Sequence, residues 1–178
     1  MMGIVSLLDN LHYHYVENLW AELQQKFGVK GVYVTPFPHF SYHVASDYDS
    51  EMLAPILHKV ATRQASFQVR TSGLSIFTGE APVLYIPVVR NPALTQLHEL
   101  LWQELLNMGN GVLEYYHPEH WIPHITIGFG DLNSDNLAHI VRYLSKRSFS
   151  WQVTVDNLTF IGNSGTGQEV KYRYALTN

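Results

Sequence analysis

Two short motifs of the same kind carry the residues best suited to chemistry. Each places a proline, a histidine, an apolar residue and a hydroxyl residue in a row, namely Pro38-His39-Phe40-Ser41 and Pro123-His124-Ile125-Thr126. In a β-strand, residues two apart share a face, so each His lies on the face of the following Ser or Thr. Imidazoles exchange protons near neutral pH, and hydroxyls can donate hydrogen bonds to phosphoryl oxygens. The two motifs together therefore favour phosphodiester hydrolysis without a metal.

The two motifs belong to a longer internal repeat. Leu53-Ala54-Pro55-Ile56-Leu57 reappears as Leu137-Ala138-His139-Ile140-Val141, and Gly73–Phe77 reappears at the same spacing as Asn157–Ile161. Leu19-Trp20-Ala21-Glu22-Leu23 likewise corresponds to Leu101-Trp102-Gln103-Glu104-Leu105. Collinear order over nearly the whole chain predicts a duplication. We expect residues 1–178 to form a single bilobal domain, with pseudo-repeats of about 1–80 and 81–178.

The elements that must position these motifs follow from hydrophobic period. Apolar residues at helical spacing predict helices over 11–27, from Asn91-Pro92 onward, over 50–64 and over 134–147, with Gly28 ending the first. Short β-branched and aromatic runs predict strands at 3–8, 31–35, 40–45, 67–70, 74–77, 83–89, 113–115, 125–129, 151–155, 158–161 and 170–175. The sequence thus predicts an α+β fold with two pseudo-symmetric lobes. Two largely antiparallel sheets should face a central cleft, with the helices packed outside.

Composition and charge exclude several classes of function. The net charge of −4 argues against holding long nucleic acid or an anionic membrane by bulk electrostatics. The absence of Cys excludes disulfides, thiol nucleophiles and thiolate metal sites. No apolar run approaches the roughly 20 residues of a membrane span, and the first residues do not resemble a signal peptide. We therefore expect a cytoplasmic protein with no membrane partner.

Aromatic and His residues around the motifs are candidate substrate contacts. His43 follows His39 by four residues, so a regular strand would place both on one face; a hydrogen-bonded or exposed His is an equally consistent alternative. Tyr116 and Trp121 lie in the segment before the second motif, where a loop would rim the cleft and stack on a base. A loop whose aromatics simply cover the core is the alternative for that segment.

Metal and phosphate contacts are less well defined by the sequence. His117, Glu119 and His120 are metal-ligand types, but their spacing is unspecific, so we expect no metal and no cofactor. Positive charge for a phosphate could come from Arg90, Lys171 or Arg173, and the sequence does not choose among them.

The duplicated His-x-(Ser/Thr) motifs resemble the two-histidine phosphoesterase superfamily, which includes the RNA 2′,3′-cyclic phosphodiesterases called 2′-5′ RNA ligases. The resemblance covers the whole chain and implies that His39 and His124 form the acid/base pair while Ser41 and Thr126 bind the phosphate. It also implies a shared cleft between the lobes and generally metal-free chemistry. One departure stands out, because the RNA-ligase branch continues its second motif as Thr-Leu-Ala-Arg, whereas this chain reads Thr126-Ile127-Gly128-Phe129.

These observations lead to a cyclic phosphodiesterase as the main hypothesis. Its substrate would be a 2′,3′-cyclic phosphate or a similar small nucleotide ester, and its partner a small nucleotide or an RNA terminus. Three alternatives stay open: a non-catalytic module that binds a nucleotide or phosphorylated ligand, a 2′-5′ RNA ligase or RNA-end processing activity, and a metal-dependent hydrolase. A binding module needs hydrogen-bond donors but not two titrating imidazoles, and suitably spaced carboxylates for a metal are scarce.

Overall fold

The computed structural model describes all 178 residues and contains four α-helices and eleven β-strands. The helices are α1 (Asn10–Phe27), α2 (Ser50–Ala61), α3 (Pro92–Glu104) and α4 (Ser134–Leu144). The strands are β1 (Met2–Leu7), β2 (His39–Ala45), β3 (Asp47–Tyr48), β4 (Phe67–Thr71), β5 (Ser75–Phe77), β6 (Val83–Val89), β7 (Gly109–Asn110), β8 (His124–Gly128), β9 (Gln152–Val155), β10 (Asn157–Asn163) and β11 (Gln168–Ala175). The predicted α+β class and its antiparallel sheets are confirmed.

Two antiparallel sheets dominate the fold. The first sheet has the strand order β11-β10-β1-β2. In the second sheet, β6 pairs with β8 along one edge and with β4 and β5 along the other, and β9 pairs with the free edge of β4. Strands β3 and β7 form a separate small ladder. Each motif strand, β2 and β8, is thus the last strand of its sheet, and the two strands contact each other.

Both sheets mix strands from the two halves of the chain. The first sheet joins β1 and β2 to β10 and β11, while the second joins β6 and β8 to β4 and β5. The registers agree in the two sheets, since Val5 pairs with Ser41 and Thr159 in one, and Tyr85 pairs with Thr126 and Ser75 in the other. The two motifs therefore occupy the same place within each sheet.

Helix ends and faces follow the local sequence. Asp9, Asn91 and Asn133 cap the N-termini of α1, α3 and α4 with their side-chain oxygens. Gly28 ends α1 in the left-handed conformation at φ 73°, as predicted. The helices bury their apolar faces against the sheets in a core of 36 residues to which both halves of the chain contribute. None of the helices is both long and apolar enough to cross a membrane.

Two predicted strands are wrong. Residues 31–35 form the 3-10 turn Gly31–Val34, and residues 113–115 overlap the 3-10 turn Glu114–Tyr116. The first turn is fixed by the Asp131 carboxylate, which accepts hydrogen bonds from the backbone N–H groups of Lys30 and Gly31 at 2.6 and 2.9 Å. These bonds tie the backbone to the loop after β8 and not to a neighbouring strand. The turn Gly31–Val34 is thereby brought next to the motif strands.

Candidate active site

The two motif strands bring three of the four signature side chains to one cavity. His39, Ser41 and Thr126 line a cavity of about 240 Å³, whose wall is otherwise mostly apolar. His124 is not part of that lining, but its charge acts on His39. Its ring lies against two aromatic rings of the second sheet, Phe77 at 5.0 Å and Tyr85 at 5.2 Å between centroids.

Each imidazole is held in the same tautomer. The Nδ1–H of His39 donates to the carbonyl oxygen of Phe37, and the Nδ1–H of His124 donates to the carbonyl oxygen of Ile122 at 2.7 Å. A carbonyl oxygen only accepts, so Nδ1 carries the proton in both rings. In both cases the carbonyl lies two residues before the His, across the proline of the motif. The Nε2 atom of each ring is left to accept or donate a proton.

Burial shifts both imidazoles toward the neutral form. Desolvation lowers the pKa of His39 to about 4, the Phe37 carbonyl opposes this shift, and the charge of His124 adds to it. Desolvation also lowers the pKa of His124, and the Ile122 carbonyl opposes it. A bound anion reverses this effect, because a nearby negative charge favours the imidazolium. Both neutral rings can thus accept a proton, and an anionic ligand would make one of them a proton donor.

Two indoles hold the backbone of the hydroxyl residues. The Nε1–H of Trp121 donates to the carbonyl oxygen of Ser41 at 2.9 Å, and the Nε1–H of Trp20 donates to the carbonyl oxygen of Thr126 at 3.1 Å. Each indole comes from the half of the chain opposite to the motif that it contacts. The predicted substrate contact by Trp121 is not supported, since Trp121 is 2% exposed and lies in the core beneath Ser41.

A β-bulge after each hydroxyl residue changes which side chains face the cavity. On β2, Ser41 and His43 pair with adjacent residues of β1, so Tyr42 is an extra residue. The extra residue reverses the alternation of faces, which directs Val44 to the cavity and His43 to the core. On β8, Ile127 is the extra residue at the equivalent position, and Phe129 then lines the cavity as Val44 does.

His43 is therefore a core residue and not a substrate contact. It is 2% exposed, its Nδ1 shares a 2.6 Å hydrogen bond with the Tyr48 hydroxyl, and its ring packs 5.0 Å from Trp102. Desolvation lowers the pKa of His43 to about 4, so the ring is neutral at pH 7. The prediction from regular alternation is wrong here because it assumed an unbroken strand.

Tyr116 lies where the sequence placed it, in the wall of the cavity. Burial raises the pKa of its hydroxyl, and a hydrogen bond with Ser41 opposes that shift. The phenol stays protonated at neutral pH and can donate a hydrogen bond. Its role toward a substrate stays a prediction.

His98 supports this wall and was not identified as a site residue from the sequence. Its Nε2–H is shared between the carbonyl oxygens of Tyr42 at 3.1 Å and Tyr116 at 3.0 Å. Its ring stacks on Trp121 with centroids 3.7 Å apart and an interplanar angle of 5°. The available signal was a lone His at the fully buried face of α3, where Leu94, Leu97 and Leu101 also lie.

No Lys or Arg lines the cavity. Of the three candidates, Arg90 donates to the carbonyl oxygens of Pro118 and Trp121, and Lys171 pairs with Glu169. Arg173 is exposed on the last strand. The polar side chains of the lining that can contact a phosphate are thus those of His39, Ser41, Thr126, Tyr116, Thr35 and Gln168, and the His124 ring lies outside the lining.

Most of the cavity wall is apolar and comes from segments outside the two motifs. These residues belong to the turn Gly31–Val34, to β10 and to β1 with the residue before it: Met1, Met2, Val5, Val32, Val34 and Ile161. Gly31 is required there, because a Cβ at this position would lie 1.8 Å from the Phe129 carbonyl oxygen. One group of metal-ligand side chains is present outside this lining, at His117, Glu119 and His120.

Comparison with known proteins identifies the family of this chain and solved structures with the same fold. The family model of the 2′-5′ RNA ligase superfamily matches residues 13–167. Three solved structures have this fold. TT0787 of Thermus thermophilus matches with a TM-score of 0.69 and 15% identity over 98% of this chain and 97% of that chain. E. coli LigT complexed with NADP+ matches with a TM-score of 0.57 and 15% identity over 99% and 97% of the two chains, and LigT complexed with 3′-AMP with a TM-score of 0.58 and 16% identity over 99% and 98%. No curated protein matches the sequence.

Proposed function

The chain belongs to the 2′-5′ RNA ligase superfamily, and from that premise we propose that it is a metal-independent cyclic phosphodiesterase acting on a 2′,3′-cyclic phosphate or a similar small nucleotide ester. The observation that carries this proposal is the matched state of the two imidazoles. Both hold their Nδ1 proton on a backbone carbonyl, which leaves two Nε2 atoms for proton transfer.

The proposed reaction adds one water across one P–O bond. The Nε2 of one neutral imidazole accepts a proton as the water oxygen attacks phosphorus. The bond between phosphorus and one ribose oxygen breaks, and the Nε2–H of the other imidazole, protonated beside the anion, gives its proton to that leaving oxygen. The product is a phosphate monoester. Since the site is pseudo-symmetric, the orientation of the substrate decides which of His39 and His124 is the base.

The hydroxyls of Ser41 and Thr126 are proposed to stabilise the charge that develops on the non-bridging oxygens. The indole bonds from Trp121 and Trp20 support this role, because they fix the backbone that carries both hydroxyls. Tyr116 adds a third donor close to Ser41.

The size and character of the cavity favour a small nucleotide over a long strand. Its volume of about 240 Å³ and its mostly apolar lining suit a nucleoside, and no Lys or Arg is present to follow a phosphate backbone. E. coli LigT has been solved with 3′-AMP, which carries its phosphate on a ribose oxygen as the product of this hydrolysis would. Ligation or RNA-end processing stays an alternative, and the cytoplasmic location stays a prediction.

The test is hydrolysis of the four nucleoside 2′,3′-cyclic phosphates in excess EDTA. We expect His39→Ala and His124→Ala each to lose about 10²–10⁴-fold in kcat. His139→Ala is the matched control, because His139 is an exposed residue of α4 and does not line the cavity. Full activity in either motif variant would refute the two-histidine mechanism, and binding without turnover by the wild type would favour the non-catalytic module.

A further inference from the structure

We propose that His117, Glu119 and His120 form a binding site for a zinc-like divalent cation, separate from the catalytic pair. Two imidazoles and one carboxylate each offer a ligand atom here, and these atoms lie within 4.8 Å of one another. His117 is half-buried, while Glu119 and His120 are exposed, so a cation can reach all three from solvent.

The backbone of this segment is already folded into a turn that presents the three side chains. The N–H of His117 donates to the Glu114 carbonyl at 3.0 Å, and the N–H groups of His120 and Trp121 both donate to the His117 carbonyl, at 2.8 and 2.9 Å. Pro118 restricts the backbone inside the same turn. Cation binding therefore requires side-chain adjustment and leaves these backbone bonds in place.

Binding gives up only one weak interaction among the ligands. The N–H of Glu119 donates to the Nδ1 of His117 over a long distance of 3.3 Å. A neutral imidazole has a single lone pair, so a cation at either ring nitrogen displaces this one bond. No strong ion pair holds Glu119 or His120 away from a cation.

The ligand set indicates the class of cation. Imidazole nitrogen suits Zn²⁺, Ni²⁺ and Cu²⁺, whereas Mg²⁺ and Ca²⁺ prefer all-oxygen sites. Three protein ligands leave at least one position of a zinc ion to water. The proposed site is therefore selective for a transition-type cation over Mg²⁺.

The position of the site links it to the cavity wall. Tyr116, which lines the cavity, immediately precedes His117, and Trp121, which holds the Ser41 carbonyl, immediately follows His120. A cation that joins His117 to His120 would stiffen the segment between these two residues. The ion takes no part in the proton transfers and acts on the position of the wall.

Equilibrium dialysis with Zn²⁺ in a buffer without other metals tests the site. We expect about one Zn²⁺ per chain, and more than about 10-fold weaker binding in both His120→Asn and Glu119→Gln. Both changes are at exposed side chains, so the variants should fold. His139→Asn is the control and should bind like wild type, and Mg²⁺ should not compete. Unchanged Zn²⁺ binding in His120→Asn, or an equal loss in His139→Asn, would overturn the proposal.

Two further readouts separate this site from the catalytic one. The ring of Trp102 lies 5.2 Å from that of His117, so Cu²⁺ should quench part of the tryptophan fluorescence of the wild type and less in His120→Asn. In an assay of the proposed hydrolysis, Zn²⁺ should change KM, while the enzyme should stay active in EDTA. Only this measurement depends on the proposed function. Loss of Zn²⁺ binding in His120→Asn with unchanged hydrolysis in EDTA supports both the cation site and its separation from the proposed hydrolysis. A wild type that binds Zn²⁺ but shows no hydrolysis refutes only the proposed function.

Discussion

Replacing Trp121 by Phe tests whether the core indole positions the motif strand β2. The change removes the hydrogen bond that the Nε1–H donates to the Ser41 carbonyl at 2.9 Å. It also removes three ring atoms from a side chain that is 2% exposed and stacked on His98. Loss of a hydrogen bond to a buried carbonyl costs about 1 kcal/mol or more. The missing ring atoms cost about 1–2 kcal/mol more, as a fraction of a full Trp→Ala change.

We therefore expect Trp121→Phe to lower the free energy of unfolding by about 2–3 kcal/mol. Trp102→Phe is the matched control, because Trp102 is half-buried and its Nε1 takes part in no hydrogen bond. It loses the same atoms and should cost about 1 kcal/mol. Urea unfolding followed by circular dichroism gives both values.

The same variant should affect the reaction. Without the indole bond the Ser41 backbone is less fixed, so kcat/KM for a 2′,3′-cyclic phosphate should fall more in Trp121→Phe than in Trp102→Phe. Equal free energies of unfolding and equal kcat/KM in the two variants would show that the bond to Ser41 contributes nothing, and the proposed role of Trp121 would be refuted.

Three other perturbations follow from the site. Burial lowers the pKa of His39 to about 4 and also lowers the pKa of His124. Because the proposed reaction needs one neutral and one protonated ring, the pH profile of kcat/KM should peak below pH 6.5. A maximum above pH 7 would contradict these shifts. Gly31→Ala places a Cβ 1.8 Å from the Phe129 carbonyl oxygen, so the turn must move. We expect a raised KM and a free energy of unfolding in urea that is lower by about 1–3 kcal/mol. Unchanged values of both would show that the turn accommodates a side chain at this position. Because no Lys or Arg lines the cavity, adding a 5′-phosphate to the cyclic nucleotide should lower kcat/KM in steady-state assays, and an increase would reveal a cation contact that the structure does not show.

Sequence reasoning succeeded where a local rule determines the structure. The helical spacing of Leu94, Leu97, Leu101 and Leu105 predicted residues that are all fully buried, and Asn91 caps the helix that they belong to. The two motifs were found from residue type and repetition, and the fold brings His39, Ser41 and Thr126 to one cavity. Their catalytic roles stay predictions until the variants are measured.

The failures have non-local causes. His43 lies on the face of β2 opposite to the predicted one, because a bulge at Tyr42 changes the alternation of side chains. The sequence of a single strand gives no clear signal of such a bulge. The turn at Gly31 depends on a carboxylate a hundred positions away, Asp131. His98 acts through two carbonyls, Tyr42 and Tyr116, whose positions only the folded chain defines.

The exchange of strands between the sheets means that neither half of the chain is autonomous. A polypeptide of residues 1–80 would leave β1 without the neighbour that β10 supplies, and β5 without β6. Two copies of such a unit can complete each other, since β5 of one copy can occupy the place of β10 beside β1 of the other.

The site of that two-copy assembly would be made by a single motif used twice. Joining both copies in one chain allows equivalent positions to diverge. Val5 and Ile161 line the cavity with His39, whereas their counterparts Tyr85 and Phe77 contact His124. A single chain thereby gives two equivalent histidines different environments, aliphatic around His39 and aromatic around His124.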